Sequence, residues 1–371
     1  MGKVISSASA KKVQLQQAGL MSDGVEPGVA QDMAQDETRL GGYAYQIISQ
    51  QSQVISKLRS SVLADKDPEN LHKMRIGTRR LAAAVLLFED AVSITSAKGK
   101  TRSAAKLAKE IKNLTQTLGD VRDMDVMKQW FADALVNDRR KEDGHDAHSF
   151  SKKEKKTIRA LLKAIKKRRK KKLATLTEAL QGDRYKKLIN QFKRWRKQPT
   201  FTALAQAKAA EAAALKIVEP IANLLQHPAW LMASRKVGDR GGGTHFVPVS
   251  SLTLEQLNQQ LAQNGEQLHD LRKQIKNVRY QSEFFRGLYG IAYASQVREF
   301  RTLQKILGGL QDQIVVSQFL ADEIGADWAD KLPTIAAKFQ SSRLALWQQW
   351  QPYQKKYLKL QGRASDSDQV A

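Results

Sequence analysis

Residues 67–88 read DPENLHKMRIGTRRLAAAVLLF, and this stretch predicts the fold of the chain. Asp67 carries the side chain of a helix N-cap, and Pro68 has the fixed φ angle that suits the first position of a helix. Apolar side chains then recur every three or four residues as far as Phe88, which is the period of one buried helix face. The stretch is therefore predicted to be an amphipathic helix.

The rest of the chain has the same character. Leu, Ala, Lys, Gln and Arg dominate it, runs of β-branched residues are short, and apolar residues keep the helical spacing through most of the sequence. Glycine and proline mark the predicted breaks, which lie at Gly99, Gly144, Pro199, Gly238 to Gly243, Gly290 and Gly325. The sequence thus predicts an all-α protein.

The first predicted helix has a counterpart later in the chain. LHKMR at residues 71–75 returns as LHDLR at residues 268–272, and LGDVRD at residues 118–123 returns as LGGLQD at residues 307–312. The two motifs keep their order and a similar spacing, which is typical of an internal repeat. We therefore expect two related helical bundles.

The length of 371 residues also favours two domains over a single hydrophobic core. Residues 33–200 are predicted to form the first bundle and residues 201–363 the second, with the boundary near Pro199. The small and polar residues 1–32 and 364–371 are predicted to be mobile tails.

The charge of the chain points to its partner. The sequence has 62 Lys and Arg against 37 Asp and Glu, a net charge of +25. Residues 151–197 alone hold 20 Lys and Arg against 3 acidic residues, and leucines and isoleucines flank the run from Lys166 to Lys172. This segment is predicted to be one long basic helix, and the charge indicates a polyanionic partner.

The composition disfavours several classes of function. The absence of cysteine excludes disulfides, thiol catalysis and Cys-ligated metal sites. No apolar run is long enough for a signal-peptide core or a membrane span, so we expect a cytoplasmic protein without membrane insertion. His145 and His148 lack a third ligand and are interpreted as loop residues. Residues 238–243 lack the Lys-Ser/Thr of a P-loop and are interpreted as a flexible connection.

Cationic side chains share one side of each motif helix. At about 3.6 residues per turn, His72, Arg75 and Arg79 project together, as do the corresponding residues of the second copy, His269, Arg272, Lys276 and Arg279. Like charges this close cost about 0.2–0.5 kcal/mol per pair on an exposed helix, so each stripe needs compensation. Pairs with the same i, i+3 spacing recur on another helix, at Lys109 and Lys112 and at Arg298 and Arg301.

Three sources of compensation are open: nearby surface acids such as Asp120, Asp123, Asp125 or Asp312, a phosphate-bearing ligand, or a catalytic site. The stripes contain no paired carboxylates and no nucleophile with a base, so no catalytic residue, cofactor or metal ion is predicted and we expect a protein that is not an enzyme. Recurrence in both halves favours a phosphate-bearing ligand, because guanidinium groups bind phosphate bidentately.

These two motifs, each present twice and in the same order, resemble the CHAD family, named for its histidine-containing α-helical domain. The resemblance covers about residues 35 to 362. It implies two pseudo-symmetric antiparallel four-helix bundles whose basic faces line a central groove or pore. It also implies binding of inorganic polyphosphate. Apart from the resemblance, we expect nucleic acid as a secondary polyanion and association with polyphosphate granules. Some members carry a triphosphate tunnel domain, but the Glu-x-Glu-x-Lys of that domain is missing here.

The family's basic positions can be carried over residue by residue. Together with the cations of the second motif helix, the predicted polyphosphate-binding residues are His72, Arg75, Arg79, Arg80, Lys109, Lys112, His269, Arg272, Lys273, Lys276, Arg279, Arg298, Arg301 and Lys305. Asp123 and Asp312 are expected to orient neighbouring cations or cap helices. The chain departs from the family pattern at Ala82, at Asn277 and in the QDQI of residues 311–314, which argues against an even division of binding.

Two other functions stay open. Nucleic acid could bind the basic residues 151–197, which would make the repeated helices structural. Polyphosphate turnover would need clustered carboxylates for Mg²⁺ or a nucleophilic His, and neither is evident. Aromatic residues that share a helix face are assigned to the core; they are Tyr185, Phe192 and Trp195 in the first half and Trp347, Trp350 and Tyr357 in the second.

Overall fold

The computed structural model describes residues 32–95, 101–142, 149–238 and 244–368. These residues are almost entirely helical, so the prediction of an all-α fold is confirmed. They divide into two compact units, which meet in sequence between Ala214 and Leu215. This division lies inside a helix, downstream of the boundary expected near Pro199. No helix among the described residues is long and apolar enough to cross a membrane.

The first unit is built from helices that pack in chain order. They are α1 (Leu40–Ala64), α2 (Pro68–Leu87), α3 (Ala104–Glu142), α4 (Lys152–Gln181), α5 (Asp183–Lys197) and the first part of α6 (Ala209–Leu225). Helix α2 packs between α1 and α3, and α4 packs on α3 and returns to α1. Four long helices therefore surround one core.

Helix α2 begins and is buried as its sequence predicts. The side chain of Asp67 accepts a hydrogen bond from the backbone N–H of Glu69 at 2.9 Å, and Pro68 occupies the first turn. The apolar positions of its repeating pattern are all buried, and they include Leu71, Met74, Leu81, Val85 and Phe88. Burial of this stripe fixes which face of α2 is left for the cationic side chains.

The basic segment forms two helices, α4 and α5, which corrects the prediction of a single helix. Gly182 separates them in an extended conformation, with φ −69° and ψ 162°. Glycine weakens a helix interior because it has the most conformational freedom to lose, so the chain breaks there. Tyr185, Phe192 and Trp195 of α5 are buried, which confirms their assignment to the core.

The described residues of the second unit include three long helices. They are α7 (Leu254–Phe284), α8 (Ile291–Ile324) and α10 (Pro333–Asp368), with the short α9 (Trp328–Lys331) between the last two. Helix α8 packs on α7 and α10, and the end of α6 adds Leu224 to their core. Gly290 begins α8, and Gly325 ends it with φ +101°, as expected for helix breaks.

An aromatic stack fills the core of the second unit. Trp230 lies on a 3₁₀ turn and stacks on Trp350, with ring centroids 4.7 Å apart, and on Tyr357, with centroids 4.2 Å apart. These residues and Trp347 are buried, which confirms the core assignment of the three α10 aromatics. The indole N–H of Trp230 donates to the carbonyl of Leu224 at 2.8 Å, so the stack also has a fixed orientation.

A two-stranded antiparallel hairpin follows this turn. Strand β1 (Ser234–Gly238) pairs with β2 (Thr244–Pro248), and β2 packs on α10. The sequence predicted no strand here, because two short runs with β-branched residues give little periodicity to read. The glycine-rich connection predicted at residues 238–243 thus begins at the end of β1, and residues 239–243 lie outside the described residues.

The predicted tails lie only partly in the described chain. Residues 1–31 and 369–371 are outside it, as are His145 and His148. Met33 and Ala34, which directly follow the predicted tail of residues 1–32, are buried on a short helical turn. Helix α10 continues to Asp368, so residues 364–368 are helical, which corrects the prediction of a mobile tail there.

Candidate anion-binding site

The first cationic cluster consists of His72, Arg75, Arg79 and Arg80, all half-buried on α2. Helix α2 runs antiparallel to α3, because His72 lies near Arg122 whereas Arg75 lies against Gly119. The LHKMR motif therefore faces the LGDVRD motif across the two helices. Two sequence motifs that are about 45 residues apart in the chain thus lie side by side.

The side chain of Arg75 packs against Gly119. A Cβ atom at Gly119 would lie 3.1 Å from Nε of Arg75 and 3.5 Å from its Nη2, so the guanidinium rests on bare helix backbone. Nε of Arg75 is buried and has no hydrogen-bond partner within the described part of the chain. The conformation of Arg75 is thus set by packing against α3.

The surroundings of His72 disfavour its charged form. Its Nδ1 atom is buried without a hydrogen-bond partner among residues that the structure describes. Burial, followed by the charge of Arg122, lowers the pKa of His72 below its usual range. Arg122 was not among the predicted site residues, although the LGDVRD motif contains it.

Cations and acids alternate around this cluster. Burial of the carboxyl group, with a smaller effect from the charge of Asp120, raises the pKa of Asp123, although the charges of Arg75, Lys172 and Arg122 oppose the shift. Lys109 and Lys112 are exposed on α3. Asp120 lies in the same group and comes within 3.8 Å of Lys172, so two acids share this part of the α2–α3 face with the cations.

The second cluster consists of His269, Arg272, Lys276 and Arg279, all half-buried on α7. Nδ1 of His269 lies 2.7 Å from Oε1 of Gln311. Because an amide oxygen only accepts hydrogen bonds, His269 carries a proton on Nδ1. Gln311 aligns with Arg122, so the two histidines face residues at corresponding positions of the motif.

Glu283 neutralises part of the second cluster. Arg279 donates to Oε1 of Glu283 at 2.6 Å, and Arg301 donates to the same oxygen at 2.9 Å. Arg279 also donates from Nε to Oε1 of Gln304 at 2.7 Å. Two predicted binding residues are therefore held by one carboxylate, a contact that the sequence pattern did not indicate.

The remaining predicted binding residues of the second half are exposed, and some of them are paired with acids. Lys273, Arg298, Arg301 and Lys305 are all exposed. Lys273 pairs with Asp270 at 2.9 Å, and that carboxylate also contacts His227 at 3.2 Å. The hydrogen bonds from Lys273 and then His227 lower the pKa of Asp270 to about 2, so the pair is ionised at neutral pH.

A pocket of about 260 Å³ adjoins the second cluster. His269, Arg272 and Gln311 line it from α7 and α8, and Arg343 lines it from α10. Burial lowers the pKa of Arg343 from its usual value. The sequence analysis missed Arg343 because it lies outside both motifs, on a helix with no recognised signature.

The basic helix α4 has an inner and an outer face. Arg169 points inward and donates to both carboxylate oxygens of Asp65 at 2.7 Å and to Asp125 at 2.5 Å. The hydrogen bonds with Asp65 contribute most to raising the pKa of Arg169. Lys166, Lys167, Lys170 and Lys171 are exposed on the outer face. Only part of the basic run is therefore available to a partner.

No group of three or more His, Asp or Glu side chains suited to a metal ion occurs in the described ranges. The two clusters instead bring together guanidinium, imidazole and ammonium groups. These groups bind anions, and Arg adds the planar fork that matches phosphate oxygens.

Comparison with known proteins identifies the family of the chain. The profile of the CHAD domain family matches residues 46–321. The chain is similar in structure to the CHAD domain from the plant Ricinus communis, with a TM-score of 0.51 and 23% identity over 84% of this chain and 87% of that one. It is also similar to PptA from Streptomyces chartreusis, with a TM-score of 0.52 and 15% identity over 83% of this chain and 96% of that one.

A search of curated proteins gave no match. At these identities the two solved structures establish a shared fold, and the profile match extends through both motif pairs. The resemblance read from the LHKMR and LGDVRD motifs is thereby confirmed. The chain belongs to the CHAD domain family.

Proposed function

We propose that this protein binds inorganic polyphosphate through its two cationic clusters and catalyses no reaction on it. Membership of a family linked to polyphosphate supports the choice of ligand. The observation that carries the proposal is that Arg75 and Arg272 each hold a buried Nε without a hydrogen-bond partner among the described residues. A buried cationic donor is costly when unpaired, so an anion is the natural partner.

Polyphosphate suits these clusters for a physical reason. It is a linear polymer with about one charge per phosphate, and its condensed counterions are released when Lys and Arg replace them. Bidentate guanidinium contacts then hold individual phosphates. The clusters are made of cations and histidine, so charge density rather than base stacking should decide which polyanion binds.

The two halves should contribute unequally. Glu283 neutralises Arg279 in the second cluster, and Gln311 replaces the positive charge that Arg122 supplies to the first. We therefore expect the first cluster to supply more of the affinity. The divergence of the second motif removes one arginine and one aspartate together, so RDMD and QDQI have the same net charge of −1 and the expected difference rests on Glu283 and on the position of Arg122 beside His72.

The direct test is competition for the protein at fixed salt between polyphosphate, single-stranded DNA, RNA and heparin. Polyphosphate should displace single-stranded nucleic acid of equal total charge. Polyphosphate should also raise the melting temperature, because a ligand that binds only the folded state stabilises it by about 2.7 kcal/mol at 100 times Kd. Equal affinities, or an unchanged melt at saturation, would contradict the proposal.

A variant pair locates the site. Arg75→Gln with Arg272→Gln should weaken polyphosphate binding by about tenfold or more per contact. The matched control, Lys167→Gln with Lys171→Gln, removes the same charge from the exposed face of α4. The control should lower the association rate and the salt dependence while keeping the preference for polyphosphate.

Nucleic-acid binding remains the second candidate, because the outer face of α4 exposes Lys166, Lys167, Lys170 and Lys171. It makes the opposite prediction for the variant pair. Loss of selectivity in the α4 variant, with normal binding by the Arg75 and Arg272 variant, would favour it. A fluorescent fusion that gathers at cytoplasmic polyphosphate granules would support the first candidate.

A further inference from the structure

The pocket of the second unit differs in chemistry from a simple phosphate groove. It lies among α7, α8 and α10 and has a volume of about 260 Å³. One part of its lining is cationic, with His269, Arg272 and Arg343. Another part is apolar, and consists of Leu261, Ala262, Leu268, Leu307, Leu310 and Ile314.

The two arginines of this pocket have no ion-pair partner among the residues that the structure describes. Arg343 is half-buried, and its guanidinium donates to two neutral amide oxygens, from Nη1 to Asn258 and from Nε to Gln313 at 3.3 Å. Arg272 is also half-buried, and its buried Nε has no hydrogen-bond partner in the described part of the chain. Neither arginine forms an ion pair with a described Asp or Glu. Arg169 of the first unit, by contrast, contacts two carboxylates.

A sequence difference between the two repeats explains part of the apolar lining of this pocket. In the alignment of the two motifs, Ile314 stands where the first copy has Asp125, the carboxylate that Arg169 binds. Ile314 is 58% exposed and lines the pocket. The divergence of the second motif has therefore removed an acid and added an apolar surface beside two arginines.

A chain of phosphates would interact favourably only with the cationic part of this pocket. Phosphate oxygens placed against leucine and isoleucine side chains would lose hydration without gaining hydrogen bonds. An apolar body placed there would instead bury carbon surface, which favours binding. Small-molecule sites commonly combine an apolar lining with a few placed polar groups, as this pocket does.

We propose that this pocket binds a small organic anion, a phosphate monoester or carboxylate, with its charged group at Arg272 and Arg343 and its apolar body on Leu310 and Ile314. Nε2 of His269 is the remaining donor when the ring is protonated, since Nδ1 is engaged by Gln311. This proposal does not rest on polyphosphate binding, although the two ligands would share Arg272.

The test is calorimetric titration of the full chain with 2-naphthyl phosphate and 2-naphthoate, which separate the two head groups. Inorganic phosphate and 2-naphthol serve as the head group alone and the body alone. We expect at least one naphthyl anion to bind with one site per chain, and about tenfold more tightly than inorganic phosphate and 2-naphthol. Binding no tighter than inorganic phosphate, for both naphthyl anions, would overturn the proposal.

Two variants assign the binding to this pocket. Arg343→Gln should weaken naphthyl anion binding about tenfold, and Ile314→Ser about threefold or more. Lys355→Gln and Ile291→Ser are matched controls on α10 and α8, at exposed positions outside the pocket lining, and should leave binding unchanged. Each variant is first checked for an unchanged melting temperature, and Ile314→Ser, being exposed, keeps the test valid if Arg343→Gln fails to fold.

The outcomes separate this site from the proposed function. Naphthyl anion binding that survives both pocket variants lies elsewhere, and the proposal fails. Polyphosphate titrated against Ile314→Ser should bind as it does to the unaltered chain, because no phosphate contact is removed. Failure of polyphosphate binding in every variant and in the parent would refute the proposed function and leave the pocket result standing.

Discussion

Replacing Arg169 by alanine should destabilise the first unit, although it removes a positive charge from the most basic part of the chain. Arg169 makes three charge-assisted hydrogen bonds, two to Asp65 at 2.7 Å and one to Asp125 at 2.5 Å. Asp65 ends α1 in the left-handed region, at φ 49°, and Asp125 lies on α3. One side chain thus ties α4 to two other helices.

The magnitude follows from how much water reaches these groups. The side chains of Arg169, Asp65 and Asp125 are 18%, 27% and 11% exposed. Breaking a fully buried ion pair costs about 3–5 kcal/mol, and breaking an exposed pair costs about 0–1 kcal/mol. For this partly buried set we expect an intermediate loss of about 2–4 kcal/mol, which corresponds to a Tm lower by about 4–16 °C in a unit of this size.

Thermal and urea unfolding of the full chain, followed by circular dichroism, would measure this loss. The matched control is Lys170→Ala, because Lys170 is exposed, adjacent in sequence and of the same charge. The control should change stability by no more than about 0.5 kcal/mol. If both variants had the same stability, the contacts of Arg169 with the two carboxylates would be worth nothing, and the reasoning would be refuted.

Three further outcomes are expected. Gly119→Ala should displace the guanidinium of Arg75, and should weaken polyphosphate binding about tenfold without lowering Tm. The control is Gly308→Ala, whose added methyl group meets nothing within 4 Å, and it should leave binding unchanged in the same titration. Because the pKa of His72 is lowered from 6.5, the unfolded chain binds more protons just below that pH. The free energy of unfolding should therefore fall as the pH falls through this range and rise again as the pH rises. Urea denaturation at several pH values should show a shallower dependence of this free energy on pH for His72→Gln than for the parent. Trp230→Ala should lower the free energy of unfolding of the second unit by about 3–5 kcal/mol, measured by urea unfolding. The control Leu231→Ala should lower it little, because Leu231 is 38% exposed, and equal losses would contradict the role of the aromatic stack.

Much of the fold could be read from the chain because helices are local. The cap at Asp67, the spacing of Leu71 and Met74, and the break at Gly290 involve groups within a few residues of one another, and the structure has each of them. The repeated motifs then identified the family, because two signatures in the same order are specific. The exposed and half-buried cations on α2 and α7 lie where the helical period places them.

The hairpin shows where local reasoning ends. Strands β1 and β2 depend on pairing with each other and on packing against α10, and neither partner is visible in a five-residue run. Local sequence patterns also could not predict which cationic side chains form ion pairs. Sequence spacing placed Arg279 and Arg301 on cationic faces, but only the packing of α8 beside α7 brings both to the carboxylate of Glu283.

The sequence by itself determined the helical fold, the family, and the cationic character of the two motif helices, since periodicity and composition carry that information. Only the tertiary structure decided which cations are already paired and which are not. Arg169 and Arg343 are both arginines near the middle of long helices, yet one contacts two carboxylates and the other contacts two amides beside a pocket. That difference depends on residues from other helices, because electrostatic pairing is set by distance in space and not by distance along the chain.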